Sequence, residues 1–209
     1  MHYHRLVPTA LLVLWTAGLL SSNLEADVPL YLGTDLPPAV LELALGEVDR
    51  LFDEGGIRWR WRVFSERPAE PVPEAAVMVV VLDKPPVPVI TGCRRNRHDH
   101  RLGHTHLGAR RVTLWTAQVA RAVHGDWDLR ETPEVDPREL ATALGRVLAH
   151  ELGHLFLRLN GHRENGLMRP SFSHRSLTRR SNRSFRLSQE DLERVRAAIE
   201  RELTARGWE

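Results

Sequence analysis

One long amphipathic segment, residues 136–161, constrains this chain more than any other, because it must be a helix and carries HELGH in its second half. Asp136-Pro137-Arg138-Glu139 opens it with an N-cap, a proline at the first helical position and a glutamate placed for a capping box. These residues satisfy or remove the free N–H groups of a helix start. Leu140, Leu144, Val147, Leu148, Leu152, Leu155, Phe156 and Leu159 follow at helical spacing, and Asn160-Gly161 is the expected stop. A stripe this broad has to be covered, so the remaining chain must supply a second layer.

That layer is legible upstream. Residues 28–32, VPLYL, predict a strand, and Pro37-Pro38 opens an amphipathic helix that Gly55-Gly56 closes. Ile57, Trp59, Trp61 and Val63 alternate with Arg58, Arg60 and Arg62, predicting a strand with one charged face. Ala75 to Leu82 is a valine-rich run of the kind buried on both faces. Arg111 to Trp115 predicts a short edge strand leading into a helix over 117–123, and Ser188-Gln189-Glu190-Asp191 caps a last helix running to about Ala205. The expected fold class is α/β (α+β): a small mixed, twisted sheet with an edge strand, a backing helix, the HELGH helix and a C-terminal helix.

The chemistry sits on the long helix. His150 and His154 are four residues apart, which on a helix projects them from one side about 6 Å apart, close enough for both imidazoles to reach one ion. Glu151 lies beside that face, where its carboxylate is placed to take a proton from a zinc-bound water and not to occupy the ion. Glu151 is therefore the candidate general base, and one Zn2+ the expected cofactor. A third histidine, His162, and a Gly166-Leu167-Met168 turn follow.

HELGH, a later histidine and a methionine turn together resemble the metzincin clan of zinc metallopeptidases. The resemblance implies His150, His154 and His162 as zinc ligands, Glu151 as base, Met168 packed beneath the metal, and hydrolysis of peptide bonds. It also implies an edge strand, here sought within residues 103–115, that binds extended substrate by backbone pairing. The chain departs from the clan's HExxHxxGxxH pattern: Leu157 stands at the glycine, Asn160 at the third histidine, and His162 comes two residues late. A turn delayed to Asn160-Gly161 would return His162 to the metal. Glu164, His174, Glu190 and Asp191 are the alternative third ligands, and a non-enzymatic exported zinc-containing binding protein is the alternative class. No tyrosine follows Met168, since the only two are Tyr3 and Tyr31.

A second metal-like stretch holds Cys93, His98, Asp99, His100, His104 and His106. Its spacings match no closed zinc pattern and arginines crowd it, so it reads as a solvated loop beside the cleft. The Arg- and Ser-rich residues 169–186 read as a solvated irregular segment. Residues 1–26 resemble a secretory signal peptide, with Arg5 ahead of an apolar run from Leu6 to Leu20. An uncleaved membrane anchor is the lesser reading, since the run is short for a span and contains Pro8. A single domain over residues 27–209, secreted or periplasmic and monomeric, is expected after cleavage. With one cysteine no intrachain disulfide can form, and a formal charge of +2 does not imply nucleic acid.

Overall fold

The computed structural model describes residues 24–64, 77–83, 101–127, 129, 131–159, 161–179 and 185–205. The apolar leader up to residue 23, the proline-rich loop after residue 64, Cys93, His98, Asp99, His100 and Asn160 lie outside the described residues. Five strands form one sheet: β1 (Leu24–Gly33), β2 (Ile57–Phe64), β3 (Met78–Leu82), β4 (Gly103–His106) and β5 (Arg111–Trp115). Their order is β2-β1-β3-β5-β4, parallel throughout except for the antiparallel pair of β4 with β5. The mixed α/β architecture expected from the sequence is the one observed.

Helix α1 (Pro38–Phe52) connects β1 to β2 and packs on α3 (Pro137–Leu157). Gly145 makes that approach possible, because a Cβ there would lie 2.4 Å from the carbonyl oxygen of Ala44. Helix α3 then runs under β4 and β5. It starts where expected, with the Asp136 carboxylate accepting from the N–H groups of Arg138 at 2.8 Å and Glu139 at 3.1 Å. Helix α2 (Thr116–His124), the short α4 (His174–Thr178) and α5 (Gln189–Ala205) complete the layer. Among the described residues no helix is long and apolar enough to cross a membrane.

Buried Arg146 fastens this layer together. Its side chain is 0% exposed and donates to Glu47 on α1 at 2.8 Å and to the carbonyls of Ser176, Leu177 and Arg179 at 2.6, 2.9 and 2.6 Å. The guanidinium also lies over the Phe185 ring, 4.8 Å from its centroid. A buried charge is tolerable only when paired and hydrogen-bonded in this way. Desolvation raises the Glu47 pKa, yet Arg50 and Arg146 outweigh it and hold the carboxyl below its ordinary value.

The sheet differs from expectation in three places. Strand β3 alternates, with Val79 and Val81 in the core and Met78, Val80 and Leu82 half-buried, so only one of its faces is fully covered. Residues 103–106, read as loop on composition but lying within the 103–115 window where the edge strand was sought, form β4 and take the edge position, which leaves β5 in the sheet interior. Strand β1 begins at Leu24, four residues before the expected strand. The boundary expected near residue 26 thus falls within a paired strand, where Ala26 is buried opposite Trp59 and Glu25 ion-pairs with Arg60.

Candidate metal centre and active site

Three imidazoles meet at the C-terminal end of α3. His154 Nε2 lies 3.0 Å from His150 Nε2 and 3.3 Å from His162 Nε2, and the three ligand atoms all lie within 4.8 Å of one another. A tetrahedral zinc ion bound to nitrogens at about 2.0–2.1 Å spaces them by about 3.3 Å. The second ring nitrogens define the protonation state. His150 Nδ1–H donates to the Leu167 carbonyl at 2.7 Å and His154 Nδ1–H to the Leu159 carbonyl at 2.9 Å. A carbonyl oxygen can only accept, so both rings carry their proton on Nδ1 and direct bare Nε2 lone pairs at each other. Two such acceptors repel unless a cation lies between them. The donor set therefore fits a metal of the zinc type, which imidazole nitrogen suits.

Burial reinforces this. Desolvation pushes the His150 pKa down to about 4, against the Leu167 hydrogen bond and with help from His154 and His162. Desolvation likewise lowers His154, opposed by the Leu159 carbonyl. Both rings are neutral at neutral pH, the form a metal requires.

The loop after α3 brings His162 in, by a turn made earlier than expected. The helix ends at Leu157, and Arg158 adopts the left-handed conformation at φ 51°. The N–H groups of Arg158 and Leu159 both reach back to the His154 carbonyl, the latter at 3.2 Å. This is a Schellman-type ending with arginine where glycine is usual. The Arg163 N–H then donates to the Met168 carbonyl at 2.7 Å, and its guanidinium pairs with Asp191 on α5 at 2.9 Å. These contacts hold the exposed His162 between two fixed points.

Met168 lies beneath the helix, 1% exposed. Its Sδ occupies the space a side chain at Gly153 would need, since a Cβ there would approach within 2.4 Å. Gly166, at φ 80° and with its Cα side against the Arg186 carbonyl, shapes the turn that presents Leu167 to His150. Phe172 stands edge-on to His150, with ring centroids 5.1 Å apart.

Glu151 points to the sheet side of the same cleft. Thr105 Oγ1 on β4 lies 2.7 Å from Glu151 Oε2 and 2.8 Å from the Glu151 carbonyl oxygen. Burial pushes the Glu151 pKa up to about 7, with Thr105 and Arg101 pulling in the opposite direction. A carboxyl poised there suits a proton-transfer role. The cleft, about 940 Å³, is walled by Gly103 to Thr105 on one side and by His150, Glu151, His154 and His162 on the other.

The alternative third ligands are elsewhere. Glu164 is exposed and outside the triad, Asp191 pairs with Arg163, Glu190 pairs with Arg194 at 2.7 Å, and His174 Nδ1–H donates to the Val123 carbonyl. His104 contributes to the cleft rim, and burial followed by the charges of Arg101, His106 and Arg111 lowers its pKa. His106 Nδ1 accepts from the Ala109 N–H at 2.9 Å within a turn. Among the described residues the triad is the one group with metal-binding geometry. Tyr31 is buried, stacked on Phe64, and does not line the cleft.

Several residues of the site were not singled out in the sequence: Gly103, Thr105, Arg146, Gly153 and Phe172. Gly153 carried a signal, a helix-interior glycine between two histidines, which implies close packing. Arg146 carried another, a lone charge within an otherwise apolar stretch of α3. Thr105 carried none, because its role depends on β4 crossing α3.

No family model matches the chain, and no curated protein does. Among solved structures the fold is similar to that of an archaemetzincin from Methanopyrus kandleri, with a TM-score of 0.52 and 13% identity, covering 84% of this chain and 96% of that one. It is also similar to a zinc-dependent peptidase from Methanocorpusculum labreanum, with a TM-score of 0.53 and 11% identity, covering 80% of this chain and 99% of that one. At these identities the likeness is one of fold: a mixed sheet with its helices, spanning most of each chain.

Proposed function

We propose that this protein is an exported zinc-dependent endopeptidase of metzincin-like design. The convergence of three Nε2 atoms with both Nδ1 protons of His150 and His154 committed to carbonyls carries the reading. Two zinc- or metzincin-named neighbours sharing the fold support it. Export rests on the sequence of the leader, with Arg5 ahead of an apolar run.

His150, His154 and His162 would hold the ion. When bound, zinc supplies Lewis acidity, lowering the pKa of a water toward about 7 and polarising the scissile carbonyl. Glu151 accepts the proton of the attacking water and returns it to the departing amine, a shuttle that its place beside the histidine triad on the cleft wall allows.

The edge strand supplies a docking rail. The Trp115 N–H donates to the Leu102 carbonyl at 3.1 Å, and β4 pairs Gly103 with Leu114 and Thr105 with Val112. In an antiparallel ladder this leaves the N–H and C=O groups of Gly103 and Thr105 pointing away from β5, toward an edge that is unpaired among the described residues. An extended peptide can pair there as an added strand, its scissile bond brought beside the triad. The substrate in this reading is a peptide or protein segment without secondary structure of its own.

The test is cleavage of an unstructured peptide mixture, read by mass spectrometry. The zinc-loaded protein should cut it, a chelator should stop the reaction and added zinc restore it, and Glu151→Gln should bind zinc but cut nothing. Equal cleavage by Glu151→Gln, or none by the zinc-loaded wild type, would overturn the reading.

A further inference from the structure

We infer that Thr105 is a positioning residue for Glu151, through which the substrate-pairing strand sets the orientation of the general base. The inference rests on the reading of Glu151 as base and goes beyond it by assigning what aims that carboxylate. Two observations on β4 carry it. Residues 103 and 105 share one face of the strand, since side chains alternate, and both meet Glu151. Thr105 Oγ1 reaches Oε2 at 2.7 Å, while at Gly103 a Cβ would come within 3.0 Å of Glu151 Cγ. Glycine thus leaves room for the glutamate stem, and threonine engages its head.

The consequence is a division of labour between the carboxylate oxygens. The single hydroxyl proton is shared in a three-centred bond between Oε2 at 2.7 Å and the Glu151 carbonyl at 2.8 Å, and with Oε2 so engaged Oε1 is left for the proton of water. A long side chain such as glutamate otherwise has several rotamers, and a hydroxyl bond that selects one removes an ordering cost from the reaction step. The same two residues present their backbone groups at the open edge of the sheet. A peptide paired to that edge therefore bonds to the backbone of the residue whose side chain holds the base, so strand pairing and base orientation are one mechanical unit.

Thr105→Val and Thr105→Ser separate this role from a structural one. Valine keeps the branched shape that strands favour and deletes the hydroxyl, whereas serine keeps the hydroxyl and deletes the methyl. For the zinc-loaded protein, Thr105→Val should lower kcat about tenfold or more, with KM changed by less than about twofold and zinc content unaltered. Thr105→Ser should recover kcat to within about threefold of wild type. Wild-type kcat in Thr105→Val, or a loss in Thr105→Ser as large as in Thr105→Val, would overturn the inference. A second readout is independent of turnover. In protein labelled with 13C at the glutamate carboxyls, the Glu151 resonance, identified by its loss in Glu151→Gln, should move in Thr105→Val and return in Thr105→Ser. An unmoved resonance overturns the inference, whereas absent peptide cleavage with a resonance that moves and returns overturns only the peptidase reading.

Discussion

At the scale of single residues, the site is organised by which atoms hold protons. Leu167 and Leu159 accept the Nδ1 protons of His150 and His154, so two bare nitrogens face one another 3.0 Å apart. Glu151 contributes the opposite tension, a buried carboxyl with its pKa raised from 4.5 to about 7. Its folded pKa is the higher, so its contribution to metal-free stability is fully present below about pH 4.5 and is lost as pH rises through about 7. Glu151→Gln, which cannot ionise, should therefore melt higher than the wild type at pH 8 in chelator, with the difference closing toward pH 4, as read by thermal denaturation. Burial of His150 has the reverse sign: its contribution is present above about 6.5 and is lost as pH falls toward about 4. Arg158 is a separate residue-scale cost, an exposed non-glycine at φ 51°. Arg158→Gly should stabilise the fold by about 1 kcal/mol, visible as a melting temperature higher by about 2–4 °C.

At the scale of elements, α3 joins the centre to the fold, and its glycines show how closely it is gripped. Gly145 admits α1 and Gly153 admits Met168. Gly153→Ala should overpack the Met168 site, destabilising the protein by about 1–3 kcal/mol. It should also displace the Leu167 carbonyl and weaken zinc binding about 10–100-fold, since orienting partners tune ligand affinity; calorimetric zinc titration and denaturation check both. The start of α3 and the extents of α1 and α5 were legible, because caps and period-matched burial are local signals, whereas the alternation expected in β2 holds for Ile57 and Trp59, weakens at Trp61 and fails at Val63, which is exposed. What was not legible depended on pairing and packing that one segment does not reveal by itself. The four residues of β4 have no strand-like pattern of their own and pair only because β5 offers an edge, so GHTH read as loop. The αL turn at Arg158 was hidden for a related reason. Propensity favours Asn160-Gly161, but the pull of His154 and Leu159 on the loop sets the turn earlier.

At the scale of the whole molecule, a parallel sheet closed by one antiparallel edge strand places the open edge and the triad on the two walls of one cleft. His150 and His154 were legible from spacing and His162 through the metzincin resemblance, but the cleft was not, because it needs β4 and α3 to cross. The same scale bears on where the proposed leader would be removed. Because β1 pairs with β2 from Leu24 onward, N-terminal sequencing of any processed form should find a first residue at or before Leu24. A chain starting at Asp27 would lose the Ala26 burial and the Glu25–Arg60 pair. Whether the three imidazoles form one zinc site is decided by titrating zinc into metal-free wild type and His162→Ala. One zinc should bind per chain, with an affinity in His162→Ala lower by at least about 100-fold, beyond what loss of an outer partner causes. Unchanged affinity in His162→Ala, or no stoichiometric binding by the wild type, would contradict it.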